Sequence, residues 1–579
     1  IDVDGLTVYF PYPYIYPEQY AYMRELKRAV DAKGHAILEM PTGTGKTVTL
    51  LSFIMSYQLI RPEISKLVYC TRTVGEIGKV LEELDNVVKY RNQRLSEEEN
   101  LDPAKWNFAI KLLAVGLTTR RNLCLHENVR SKEYREDADA ECRRMTASWV
   151  RSKAEDETEM QVDKIGDRTE LCSYYERFDE EGRNAVIPAG IYTLDHLMEF
   201  GKEKHWCPYY TARHALNYAH VVVYNYQYLL DPKIAGLISS QLARESIVVF
   251  DEAHNIDNVC IDALSVTIRQ GTLSRALGNL TRLANRVAEV KDMDAERLRA
   301  EYQRLYQGIS TRGFLPPALT DPNTPDQIAS APVIPADVLE ETVPGSIRKA
   351  EHFIGFLRRV VDYLRGRMKG QQVRQESPPV FLQSMLRELM VDSKPLRFCS
   401  ERLKSLILTL QIVDTAEFAP LVVISDFTTV IGTYGHLSSY KAGRSFAVIF
   451  EPYDERFPQI PDPILQLACL DASLAMRPVF ARFQSVILTS GTISPLELYA
   501  RILGFRPSVT RSFTMSLNRR CICPMVVARG ADQVEISSRY ERRSDQSVIR
   551  NYGALLIDFA GAVPDGIVVF FTSYIYMEQ

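Results

Sequence analysis

The chain has 579 residues, 46% of them apolar and 25% charged, with a formal net charge of −4 and a pI near 6.2. That length exceeds a single hydrophobic core and implies several packed units, some inserted into others. The balance excludes a disordered or fibrous chain, no apolar run approaches the length of a membrane span, and any binding to nucleic acid must use local basic surfaces because the whole-molecule field does not favour it.

The opening residues, Ile1 to Gly5, carry neither a starting Met nor a secretory pattern, so a few residues are expected to have been lost and the chain is expected to be intracellular. Ten cysteines are too sparse for a disulfide scaffold. In chain order, His35–Met40 is an apolar run that ends in a polar loop, and Lys66–Cys70 ends in Thr71, Arg72 and Thr73. Ser246–Phe250 ends in Asp251, Glu252, Ala253 and His254, Ser485–Leu488 ends in Thr489 to Thr492, and Gly566–Phe571 ends in Thr572 and Ser573. Runs of this length suit strands buried on both faces of a parallel sheet, whose ligand site lies beyond the carboxyl ends of the strands. One such run is only a strand and a turn; five with the same polar ending point to a shared site.

Two stretches interrupt the pattern. Phe108 to Arg213 is punctuated by cysteine and poor in strand signals, with an acidic segment at Ala154–Glu170 expected to be flexible, and reads as an insertion. Val266 to Pro452 reads as largely helical. Leu273, Leu277, Leu280, Leu283, Val287 and Val290 recur at helical spacing, as do Ala350, Phe353, Leu357, Val360 and Leu364, and the proline-rich segment Pro316–Pro344 separates the two helices. Ser346 to Lys404 holds 13 Arg or Lys against 6 Asp or Glu, a net of +7, which for most of these charges means a solvated helix face.

The loop Met40-Pro41-Thr42-Gly43-Thr44-Gly45-Lys46-Thr47 carries a phosphate-gripping pattern between a strand and the predicted helix Val48–Leu59. Gly43 and Gly45 allow backbone N–H groups to approach phosphate oxygens, Lys46 neutralises the outer phosphates, and the Thr47 hydroxyl ligates magnesium. Met40 stands where the strict pattern has glycine. An isolated Asp-Glu pair is usually two solvated carboxylates. After Ile247–Phe250 and downstream of such a loop, Asp251 is better read as a magnesium ligand, Glu252 as the group that orients the attacking water, and His254 as a coupling residue.

These ordered motifs, together with Tyr14 to Gln19 near the start, Asp251–Cys260, Thr489–Pro495 and Val563–Tyr574, resemble superfamily-two helicases, and within them the iron–sulfur helicases of the XPD family. The resemblance implies an α/β fold: a RecA-like parallel-sheet helicase domain with an inserted iron–sulfur domain and an inserted helical Arch domain, plus the start of a second RecA-like domain. The implied division is helicase domain 1 at 1–107, 214–265 and 453–509, the cluster domain at 108–213, the Arch at 266–452 and helicase domain 2 from 510. It further implies that Gln19 recognises adenine, that Thr71, Arg72 and Thr73 touch the DNA backbone, and that Thr489–Thr492 link nucleotide state to DNA grip.

By the same resemblance Cys124, Cys142, Cys172 and Cys207 are the ligands of a 4Fe-4S cluster. Spacing alone would rank four buried, unliganded cysteines first, since close Cys-x-x-Cys pairs are absent. Cys70, Cys260, Cys399 and Cys469 read as core residues, and the Cys521–Cys523 pair as strand alternation or a metal site. Arg120, Tyr209 and Arg213 are candidate DNA contacts beside the cluster, with Tyr210 as a further ring, although these tyrosines are equally expected to pack the domain.

The activity implied is an ATP- and Mg2+-dependent DNA helicase that moves 5′ to 3′ and opens single-strand, fork or bubble DNA around lesions. Implied partners are the other subunits of TFIIH and, through the Arch, the assembly subunit of the CDK-activating kinase, in the nucleus and without a membrane. A second reading is an architectural subunit whose docking role does not need ATP turnover. A helicase-related nuclease is disfavoured because no additional carboxylate-rich segment is present. About 70 residues after position 510 are expected to be too short for a complete second sheet domain, and no late arginine-rich motif follows them, so this stretch alone is expected to lack an arginine finger.

Overall fold

The computed structural model describes residues 1–579 except 65, 99–101, 160–169, 232–241, 293–346, 371, 413, 436–444, 453–461, 517–522 and 579. The proline-rich segment, most of the acidic segment Ala154–Glu170 and Cys521 lie outside the described residues. Two compact units are present: 1–454 with 460–516, and 455–459 with 517–579.

The first unit is organised by an eight-stranded sheet in the order Val509–Ser512, Ala36–Glu39, Ser485–Ser490, Ile247–Asp251, Leu67–Thr71, Val221–Asn225, Leu113–Leu117, Gly190–Tyr192, every neighbouring pair parallel. Strand alternation divides its side chains between two cores. Ile37, Val68, Val248 and Val486 enter one; Leu38, Tyr69, Val249 and Ile487 enter the other, beneath the helix Lys46–Ile60. Burial on both faces explains why these strands read as unbroken apolar runs rather than alternating ones.

Four of the five expected strands are present. Gly566–Phe571 is not: among the described residues it has no ladder partner, and Val568 and Phe570 are 77% and 92% exposed. An extended run needs a neighbouring strand to satisfy its backbone. The second unit instead contains the helix Gln546–Ala562 and an isolated bridge between Arg529 and Glu535. Cys523 is exposed there and outside any strand, so the alternation expected of it is absent.

The segment Phe108–Arg213 departs from its strand-poor reading. Leu113–Leu117 and Gly190–Tyr192 join the large sheet, and the residues between them form the inserted part. The first strand is hidden in the sequence by Gly116, which lies under Ile77, Leu81 and Leu194, and the second has only three residues. The Val266–Pro452 segment is helical as expected, with Gln270–Asp292 packed on Ile347–Arg367 and on Ala419–Tyr434. It also carries strands. Arg374–Glu376, Phe446–Glu451, Ile464–Cys469 and Val266–Arg269 form an antiparallel sheet, so Ile464–Cys469 pairs with the helical insertion and not with the large sheet. Among the described residues no helix is long and apolar enough to cross a membrane.

Candidate functional site

The expected polar ends meet along one edge of the large sheet. Register brings Glu39 beside Ser490 and Thr489 beside Asp251, so the phosphate loop, the Thr489–Thr492 loop and the acidic box leave neighbouring strands side by side. Gly43 and Gly45 have φ of 79° and 69°, a left-handed backbone that glycine adopts without steric cost. Gly45 caps the helix Lys46–Ile60, whose free N–H groups open towards the loop. A Cβ on Gly45 would meet Gln19 Nε2 at 2.8 Å, so the loop also needs glycine for close approach. Met40, by contrast, is fully buried in the core, and its N–H bonds Ser490 O at 3.0 Å; glycine is not required at that point.

Lys46 Nζ lies 2.6 Å from Glu252 Oε1 and 3.1 Å from Asp251 Oδ1. Glu252 has a φ of 55°, which turns the chain sharply off its strand. Ser490 Oγ donates to Glu252 Oε2 at 3.1 Å and lies 2.8 Å from His254 Nδ1; His254 O accepts from the Tyr499 hydroxyl at 2.6 Å. Burial alone would raise the Glu252 carboxyl, but Lys46, Ser490 and His254 outweigh it and hold the group below the usual carboxylate range. The Glu252 carboxylate is therefore favoured as an anion. Gln19 donates to Thr44 O at 2.8 Å and accepts the Tyr16 N–H at 2.8 Å, tying the start of the first long helix to the loop. The cleft above has a volume of about 650 Å³, and Phe10, Tyr12, Tyr14 and Tyr16 line one wall while Pro41 to Val48 form the floor.

At the next strand end Thr71 is buried with its hydroxyl on Thr73 O, while Arg72 and Thr73 are exposed and their N–H groups bond Glu76. The inserted segment gathers the four expected cysteines. All are buried, with Cys124, Cys142 and Cys172 in one small core and Cys207 in an adjoining one. Burial pushes every one of these thiols up, Cys124 to about 12, and Cys124, Cys172 and Cys207 each sense others of the set. Backbone N–H groups of His126, Tyr175 and Tyr210 bond the sulfurs of Cys124, Cys172 and Cys207. Arg120 does not project freely towards solvent: it pairs with Asp139 at 3.2 Å, stacks 5.1 Å from the Tyr209 ring centroid and faces Cys142. Arg213 lies 6.0 Å from the same ring. Cys70, Cys260, Cys399 and Cys469 are buried core residues, as expected.

Among known families, the model described as DEAD_2 matches residues 69–273 and the Helical and beta-bridge domain matches 286–437. The "General transcription and DNA repair factor IIH helicase subunit XPD" of Arabidopsis thaliana is 51% identical over 577 residues, covering 100% of this chain and 72% of that protein. The Saccharomyces cerevisiae relative, "General transcription and DNA repair factor IIH helicase subunit XPD/RAD3", is 44% identical over the same span, which is 70% of its length. The chain belongs to the XPD helicase family. It is an α/β, RecA-like motor chain, and XPD-family helicases use ATP and Mg2+. "Regulator of telomere elongation helicase 1" of Mus musculus is a more distant relative, 24% identical over 617 residues and covered over 47% of its length.

Sequence reasoning missed several polar groups in this XPD-family site. Tyr69 donates its phenol to Asp251 Oδ2 at 2.7 Å, Tyr226 donates to Asp251 O, and Tyr22 lies 2.8 Å from Thr489 Oγ1. Buried tyrosines read as packing in the sequence, and only the fold reveals that the hydroxyls of Tyr69 and Tyr226 reach Asp251 and that of Tyr22, on the first long helix, reaches Thr489. Glu39 lies unremarked within the run His35–Met40, yet its carboxylate collects hydrogen bonds from Ser494 and Ser512.

Proposed function

We propose that this chain is the ATP-driven DNA helicase subunit of a factor of the IIH type, opening DNA 5′ to 3′ in transcription and around lesions in nucleotide excision repair. Lys46 engages the outer phosphates, Thr47 and Asp251 hold magnesium, Glu252 orients the attacking water, and His254 transmits its state through Ser490 to Thr489–Thr492. Gln19 senses the base and braces the loop. The observation that carries the reading is Lys46 resting on both Asp251 and Glu252 at the carboxyl edge of a parallel sheet, in a chain 51% identical to a named XPD helicase. The placing of Lys46 against Asp251 and Glu252 favours the enzyme over a purely architectural subunit.

The cysteine set is read as the seat of a 4Fe-4S cluster. Among the described residues no three metal-binding side chains are grouped for a single ion; a polynuclear cluster holds its thiolates further apart. The fit is supported by four buried thiols, N–H donors aimed at three of them, and the Arg120 guanidinium, whose buried Nε has no partner among the described residues. Thiolate charge would be offset there by these dipoles and the cation. When bound, the cluster supplies a cross-link between segments distant in sequence. Tyr209 and Arg213 beside it, with Thr71 to Thr73, would contact single-stranded DNA. The helical insertion would dock the kinase-assembly subunit, and the site of action is the nucleus.

The test is strand displacement by purified protein with ATP and Mg2+ on forks carrying either a 5′ or a 3′ tail. Displacement from the 5′ tail, with DNA-stimulated hydrolysis, is expected. Displacement confined to 3′ tails would overturn the polarity, and hydrolysis indifferent to DNA would overturn the motor reading.

A further inference from the structure

Both carboxylate oxygens of Asp251 are already engaged. Oδ1 accepts the Glu252 N–H at 2.9 Å and faces Lys46 Nζ at 3.1 Å, while Oδ2 accepts the Tyr69 hydroxyl at 2.7 Å. Tyr69 comes from the neighbouring parallel strand, where register pairs it with Val249, so it shares a sheet face with Asp251. That face is covered by the helix Lys46–Ile60, and Tyr69 is completely buried. The Thr47 side chain, in the first turn of that helix, lies close to the same phenol. Tyr226 fixes the Asp251 carbonyl from the other side.

A hydroxyl that ligates a cation uses a lone pair and must direct its hydrogen elsewhere, and a phenol can accept one hydrogen bond while donating another. We propose that Tyr69 is a positioning residue for the magnesium site, accepting the Thr47 hydroxyl hydrogen and donating its own to Asp251 Oδ2, so that Thr47 Oγ1 and Asp251 Oδ1 are presented together to the metal. The proposal rests on the nucleotide-site reading above. It assigns to a strand tyrosine the task of joining the loop threonine to the box aspartate. With Lys46 turned to phosphates, Asp251 Oδ1 would be free of the lysine and able to hold the cation while Oδ2 stays with the phenol.

The experiment counts bound Mn2+ by electron paramagnetic resonance in the presence of a non-hydrolysable ATP analogue, using full-length protein. Tyr69→Phe keeps the ring and should weaken Mn2+ binding about tenfold, the equivalent of one hydrogen bond to a charged group, while affinity for the analogue in EDTA is unchanged. Tyr224→Phe removes a buried phenol that has no partner among the described residues and should leave Mn2+ binding as it was. Unchanged Mn2+ affinity in Tyr69→Phe overturns the proposal. If Asp251→Asn also binds Mn2+ normally, the nucleotide-site reading itself falls; if Asp251→Asn fails and Tyr69→Phe does not, only the role of Tyr69 falls. Should Tyr69→Phe not fold, 3-fluorotyrosine at position 69 supplies a second measurement. Its fluorine resonance should move when Mg2+ is added to the nucleotide complex and stay fixed in Asp251→Asn, and a resonance blind to Mg2+ in the parent protein overturns the proposal.

Discussion

Lys46 Nζ is bound to Glu252 Oε1 at 2.6 Å, an ion pair across the floor of the cleft. The residue proposed to grip phosphates is therefore held by the residue proposed to orient water, and on that reading nucleotide entry has to separate them. Glu252→Gln removes the charge holding Lys46 and the base for water at once. Its turnover should fall by about two orders of magnitude or more, while ATP binds several-fold more tightly. Lys46→Arg should lose turnover without that gain. Fluorescent-nucleotide titration beside steady-state hydrolysis checks both, and weaker ATP binding in Glu252→Gln would contradict the competition.

Much of this site was legible because its backbone demands are local. Gly43 and Gly45 mark the left-handed loop, and the run Ile247–Phe250 before Asp251 marks a buried strand end. What stayed hidden depends on register. Tyr69 and Tyr226 look like packing until their strands are laid beside the acidic box, and Leu113–Leu117 is masked by the glycine that lets a helix approach it. Gly566–Phe571 has the composition of a strand but no neighbour among the described residues, and composition does not supply a partner. For the cysteines, residue type alone left a cluster and a plain core as alternatives; their burial in two adjoining small cores depends on tertiary packing that the sequence does not display.

Glu39 gives the fold an acid-sensitive joint. Burial would raise its carboxyl, but hydroxyl and backbone donors from Ser494, Ser512 and Ile493 outweigh this and hold it below the ordinary range. With the folded value depressed, the stabilisation is complete above the ordinary carboxylate value and is lost as pH falls through the folded one. Glu39→Gln should therefore flatten the decline of Tm as pH falls below the ordinary carboxylate range. The joint ties the phosphate-loop strand to the edge strand Val509–Ser512, so hydrogen-exchange protection there, corrected for the intrinsic rate at each pH, should fall at low pH in the parent protein. Identical pH slopes for the two proteins would refute the assignment.

Gln19 is a brace before it is a reader. One N–H and one lone pair of its amide are used on Thr44 and Tyr16, leaving a second of each for a base in the cleft. Gln19→Ala should raise the Kd for ATP about tenfold and narrow the preference for ATP over GTP. Parallel titrations with the two nucleotides decide the matter. An equal loss for both would leave Gln19 only its bracing role.

The four cysteines divide sharply from the rest. Cys124 directly follows the short helix Arg120–Leu123, Cys142 lies within a helix, and Cys172 and Cys207 stand at helix starts, so four separate segments bring the cysteines to two adjoining small cores. Their thiols are raised by burial, which disfavours bare thiolates, and ligation to iron would restore the anions that the surrounding N–H groups and Arg120 are placed to stabilise. Changing any one of the four to Ser should remove iron and sulfide from anaerobically purified protein and bleach its visible absorbance. Cys399→Ala, in a fully buried core position away from the set, should retain both. Hydrolysis of ATP without DNA should persist in the four variants, because the nucleotide cleft is lined by other residues, while unwinding should be lost. Stoichiometric zinc in place of iron, or absorbance that survives all four substitutions, would return these cysteines to the status of ordinary core residues.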